Sequence, residues 1–99
     1  MSKYHHRADL VTREIVATLR GLGASVAYLD PGNGGIPDLC VGYRHANYLV
    51  EVKGAASVRK YPATQGRSPV QMDWQRKWVG HKPIVLKSMD EAVWWMKTL

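Results

Sequence analysis

From Ala8 to Leu22 small or apolar residues return every three or four positions: Ala8, Val11, Ile15, Thr18, Leu19 and Leu22 form one stripe. That is the period of an amphipathic helix. The helix is expected to begin at about His6 or Asp9 and to stop at Leu22, where Gly21 and Gly23 end it. The pattern then shortens. Ala24 to Leu29 reads as a strand, and Asp30-Pro31-Gly32-Asn33-Gly34-Gly35 as a loop. Ile36 to Tyr43 and Tyr48 to Lys53 are short runs rich in β-branched and aromatic residues, so each reads as a strand. Arg44-His45-Ala46-Asn47 is short enough to be the hairpin loop between them.

The second half alternates differently. Gly54 to Arg67 reads as a long loop, broken by Gly54, Pro62 and Gly66. Ser68-Pro69-Val70-Gln71 is a helix start, with a serine N-cap, proline at the first helical position and a capping-box glutamine. That helix should reach about Val79, with Trp74 and Trp78 on one face. Pro83 to Leu86 is a short buried strand, and Ser88 to Glu91 a second capping box. The helix it opens runs to Leu99, with Ala92, Trp95, Met96 and Leu99 inward and Trp94 on the other side. Trp94 marks either a subunit interface or a side chain tucked against a neighbouring loop. The order α-β-β-β-α-β-α predicts one α/β domain over residues 1–99, a mixed central sheet flanked by helices.

Two of these strands carry charges that a buried strand does not want. Pro37-Asp38 opens one, and Glu51-Val52-Lys53 closes the next. With an even loop, Tyr43 faces Tyr48, Val41 faces Val50 and Asp38 faces Lys53. Asp38, Glu51 and Lys53 then share one face. Glu51 becomes the diagonal neighbour of Asp38, roughly 7–8 Å away. Two carboxylates so placed can close on one divalent cation with oxygen ligands at about 2.1 Å. An odd loop separates them. The plainer reading is a strand pair with one solvated face, but ionised groups inside apolar strands need partners. A metal and a lysine ammonium supply them.

Composition narrows the partner. The 99 residues carry a net charge of +6 and a sequence pI near 9.7, which favours a polyanion, nucleic acid before an anionic membrane surface. No acid lies between Glu51 and Asp73, while Lys53, Arg59, Lys60 and Arg67 all do, with Tyr61 interleaved. Such a stretch can grip phosphates or simply stay solvated. Arg44, in the hairpin loop, is a further candidate contact. Cys40 is the only cysteine, which excludes an intrachain disulfide and suits a core thiol. No run approaches the roughly 18 apolar residues of a membrane span, and no signal peptide is evident, so no membrane association and an intracellular location are expected.

Gly34-Gly35-Ile36-Pro37-Asp38-Leu39 followed by Glu51-Val52-Lys53-Gly54 resembles the PD-(D/E)XK nuclease signature, and is most similar to its VRR-NUC branch. These are small nuclease domains, some standing alone in phage. The resemblance implies a restriction-endonuclease-like fold and metal-dependent hydrolysis of a DNA phosphodiester. It implies Mg²⁺ or Mn²⁺ held by Asp38, Glu51, the main-chain carbonyl of Val52 and a glutamate of the first helix. Glu14 is the matching position. By helical spacing alone it borders the buried stripe, where it reaches the site or pairs with Arg7 or Arg13. Lys53 would orient or deprotonate the water, or stabilise the phosphorane oxygens.

Pro69, Gln71 and Trp74 match a family motif whose glutamine faces the site, whereas local physics folds Gln71 back onto Ser68. Asp30 is a fallback carboxylate, although Pro31 beside it favours turn initiation. The glycines at 32, 34 and 35 either admit a bulky ligand such as a DNA strand or make a simple turn. Standalone relatives resemble junction resolvases, so branched or four-way-junction DNA, a homodimer, and the cytoplasm of a bacterial or phage-infected cell are expected. The rival expectation is a nuclease-like fold that binds nucleic acid without cutting it.

Overall fold

The computed structural model describes residues 3–29 and 34–99, with main chain alone for 3–9. The chain folds as α1 (Lys3–Gly21), β1 (Ser25–Tyr28), β2 (Leu39–Tyr43), β3 (Ala46–Val52), α2 (Ala55–Lys60), a 3₁₀ turn (Pro62–Thr64), α3 (Pro69–Lys77), β4 (Ile84–Leu86) and α4 (Met89–Lys97). The strands form one sheet in the order β1-β2-β3-β4. β1, β2 and β3 are antiparallel neighbours, and β4 joins β3 in parallel. This is the mixed sheet with flanking helices that the sequence predicts. Among the described residues no helix is long and apolar enough to cross a membrane.

α1 begins earlier than its apolar stripe, at Lys3, and ends as the glycines require. Gly23 takes φ +99°, the Ala24 N–H donates to the Leu19 carbonyl and the Gly23 N–H to that of Arg20. These are the two bonds of a Schellman motif. Ile15, Val16 and Leu19 face the sheet, whereas Leu22 is 43% exposed because the helix has already turned away. With Leu39, Val41, Val50, Leu86, Ala92, Trp95 and Met96 they form the apolar core. The core therefore lies between one face of the sheet and the α1/α4 pair. Trp95 also packs edge-on against Tyr48, with ring centroids 5.5 Å apart.

The hairpin is tighter than the sequence suggests. Only Arg44 and His45 close it, at φ 50° and 67°, the left-handed pair of a two-residue type I′ turn. Ala46 and Asn47 join the ladder, so Tyr43 pairs with Ala46, Val41 with Tyr48 and Leu39 with Val50. The register differs by two residues from the expected one. Because side chains alternate with a period of two, faces are preserved. Asp38 now continues opposite Glu51, no longer opposite Lys53.

The expected long loop after β3 is partly helical. Ala55-Ala56-Ser57-Val58-Arg59-Lys60 lacks strong breakers and forms α2. α3 has the full capping box: Ser68 Oγ accepts from the Gln71 N–H, and Gln71 Oε1 accepts from the Ser68 N–H. It stops at Lys77, two residues before the expected Val79, and Trp74 stacks on Trp78 with centroids 4.8 Å apart. The second box is only half formed. Ser88 Oγ caps the Glu91 N–H, but the Glu91 carboxylate accepts from the Lys87 N–H and pairs with its ammonium.

Candidate active site

Opposite the apolar core, the other sheet face holds a pair of carboxylates. Pro37 is fully buried and delivers the chain to the end of β2. There the Asp38 carbonyl accepts from the Leu29 N–H at 2.8 Å. The Asp38 carboxylate accepts from the Val52 N–H at 2.7 Å, satisfying a ladder donor that β2 is too short to meet. Both peptide groups of Val52 point towards that edge, so its carbonyl lies on the side of Asp38. Glu51 is 1% exposed. Burial, then a hydrogen bond to Asp38 and the charge of Asp38, push its carboxyl up to about 9, against the opposing pull of Lys53 and Arg67. The Glu51–Lys53 ion pair is too long to reverse this, at 3.9 Å. Desolvation wins, and without a cation the pair holds a proton at neutral pH. Glu51 Oε2 is buried and has no hydrogen-bond partner.

Lys53 is fixed rather than free. Its ammonium donates to Gln71 Oε1 at 2.8 Å, the same oxygen that accepts from the Ser68 N–H. The competing readings of Gln71 are thus both realised: it caps α3 and faces the site. Gly66, at φ +91°, lies over the lysine stem, and a Cβ there would come within 3.2 Å of Lys53 Cγ and of the Val58 nitrogen. Gly35 serves a similar end. At φ +87°, a Cβ would meet the Val70 carbonyl oxygen at 2.8 Å, so this glycine admits the chain's own helix α3.

Comparison with solved structures places these features in a known setting. A chain described as "VRR_NUC domain" superposes with a TM-score of 0.64 and 25% identity, over 91% of this chain and 94% of that one. The chain is thus similar in fold to a VRR-NUC domain. No family model matches the sequence, and no curated protein matches it. The motif that suggested the resemblance, Pro37-Asp38 with Glu51-Val52-Lys53, is the segment that forms the carboxylate pair.

In this chain the donors fit a small hard cation. A buried carboxylate, Glu51, meets a half-buried one, Asp38, one Glu51 oxygen lacks a partner, and oxygen ligands suit Mg²⁺ or Mn²⁺. Among the described residues, however, no three acidic, histidine or cysteine side chains converge. Glu14 lines a different cavity of about 210 Å³, with Lys87, Ser88 and Asp90. It lies at the same end of the sheet as Val52, whose partner Leu86 precedes those residues, but on the α1/α4 side. Asp30, the fallback carboxylate, lies outside the described residues, as do Pro31, Gly32 and Asn33 and the side chains of Arg7 and Ala8.

The basic candidates divide into three. Lys60 and Tyr61 line a cleft beside Lys53, and Arg59 is exposed on α2. Arg44 sits in the hairpin turn, six residues along β2 from Asp38 and so roughly 20 Å away; its guanidinium rests over the Tyr43 ring. Arg67 turns inward. It donates to the Thr64 carbonyl at 2.8 Å and to Gln75 Oε1 at 2.6 Å, and its charge reaches Glu51. Sequence reasoning missed Gln75, which is buried with its Nε2 unpartnered. Its position one helical turn after Gln71 was the available signal. Cys40, expected in the core, is half-buried on the face of Asp38, since Leu39 and Val41 take the core positions.

Proposed function

We propose that this chain is a metal-dependent endodeoxyribonuclease that hydrolyses phosphodiester bonds, acting on branched DNA such as four-way junctions. The observation that supports the chemistry is the pairing of Asp38 with the buried Glu51, whose Oε2 is unpartnered, set beside a lysine held by Gln71. Mg²⁺ or Mn²⁺ would be held by Asp38, Glu51 and the Val52 carbonyl; Glu14, which lines a separate cavity, would have to swing round the end of the sheet to join them. When bound, the ion supplies charge neutralisation at the phosphate and a more acidic water. The chain's own groups do the rest. The Val52 N–H orients Asp38. Lys53, committed by one N–H to Gln71, keeps its remaining N–H groups for phosphate oxygens that gain charge during hydrolysis. Lys60, Tyr61 and Arg59 would hold the flanking strand, with Arg44 as an outlying contact. Trp94, 68% exposed on α4, offers an apolar anchor for a homodimer, which two symmetric cuts across a junction require.

A cleavage panel tests this reading: supercoiled plasmid, linear duplex, flap and four-way junction, each with Mg²⁺ or Mn²⁺. Cleavage fastest on the junction is expected, with loss of at least about 10²-fold in Asp38→Asn and in Lys53→Ala. Retained cleavage in both variants would remove the catalytic assignment. Binding without cutting by the unaltered chain would identify a binding module, a reading favoured by the absence of a third converging ligand among the described residues.

A further inference from the structure

The cleft beside Lys53 is larger than a lysine needs. It encloses about 420 Å³ and is lined by Lys53 and Lys60, by Ser57 and Ser68, by Tyr61 and by Val70 among others. None of its lining residues is acidic, because the chain between Glu51 and Asp73 carries no carboxylate. Its chemistry is uneven in a useful way. Lys60 leans over the Tyr61 ring, 5.4 Å from ring centroid to ammonium, so a cation and an aromatic face share one rim. Ser57 adds a half-buried hydroxyl, and Val70 an apolar surface that is 59% exposed. The floor is rigid. Gly66 and Gly35 bring the 3₁₀ segment and the glycine turn against the Lys53 stem and α3, which leaves the cavity open without a side chain to fill it.

From this arrangement we infer that the cleft is a nucleotide subsite adjoining the scissile phosphate. It takes one unpaired nucleotide, its phosphate on Lys60 and Ser57 and its base against Tyr61 and Val70. The inference rests on the nuclease reading for the position of the scissile phosphate, beside Lys53. A cavity of this size is within the range that holds small ligands, and stacking on an aromatic ring recognises a base only when it has left its pair. The cleft therefore selects cutting sites next to an unpaired or splayed nucleotide, which is what a branch point or strand end offers and continuous duplex does not.

Binding without metal tests the subsite apart from catalysis. Thymidine 3′,5′-bisphosphate is titrated into the full chain and followed by backbone amide chemical shifts, in the unaltered protein, in Lys60→Ala, and in Lys97→Ala as a surface-lysine control. Saturable shifts at residues 53–71 are expected, weakened about fivefold in Lys60→Ala and unchanged in Lys97→Ala. Tyr61→Ala should weaken thymidine bisphosphate while leaving inorganic phosphate as it was. Shifts centred on the Arg44 turn, no saturation, or equal affinity in both lysine variants would overturn the subsite. Because no bond is cut in this assay, such a failure leaves the nuclease reading standing, whereas loss of all cleavage with the subsite intact would count against that reading alone.

Discussion

Leu39, Val41 and Val50 leave β2 and β3 on one side; Asp38, Cys40, Leu49 and Glu51 leave the same strands on the other. The first side meets α1 and α4 and closes into an apolar core. The second meets α3 and the segment before it; it buries Glu51 and Gln75 and leaves Asp38, Gln71 and Arg67 half-buried. On the core side every group is satisfied by contact, so the arrangement is stable as it stands. On the α3 side Glu51 Oε2 and Gln75 Nε2 lack partners. Burying unpaired polar atoms costs free energy, and on the function proposed above a bound cation would supply the interaction that Glu51 Oε2 lacks.

Substitutions on the two sides should therefore act in opposite directions. Leu39→Ala opens a hole in the closed face and should cost about 2–5 kcal/mol in urea unfolding. A loss below 1 kcal/mol would show that this face is not the main source of stability.

Glu51→Gln should do the reverse in the metal-free protein. The folded carboxyl sits at about 9 against an ordinary 4.5, so between these values folding takes up a proton. Stability from this group is complete below about pH 4.5 and is lost as pH rises through about 9, by at most about 1.4 kcal/mol per pH unit. Thermal unfolding of the metal-free protein should thus show Tm falling from pH 5 to pH 8, and Glu51→Gln should flatten that slope. Added Mg²⁺ should raise Tm at pH 8 in the unaltered chain only. A flat profile in the unaltered chain would contradict the buried, protonated pair.

The smallest effect is expected where the two sides share nothing. Ser68→Ala removes the α3 cap and should cost about 1 kcal/mol. It also loosens the helix that carries Gln71, so cleavage should fall by more than the stability loss explains. If stability and cleavage fall in step, the cap does not position Gln71.

Much of this was legible because it depends on neighbours in the chain. The glycine stop of α1, the Ser68 capping box and the alternation that puts Asp38 and Glu51 on one face need only a few consecutive residues to specify them. The alternation survived even a register shift of two, since parity rather than register decides the face. The helix in the expected loop was less visible, because its composition competed with the glycine and prolines around it.

What the chain could not specify alone depends on packing between distant segments. Nothing local forces Gly35 to receive α3 or Gly66 to cover the Lys53 stem; those positive-φ glycines become necessary only once the segments meet. Arg67 reads as a phosphate contact along the sequence and becomes an internal partner of Gln75, because α3 shields it from solvent. The order of charges was thus set by sequence, and their solvation by tertiary structure. Solvation is what turns two acids and a lysine into a candidate site.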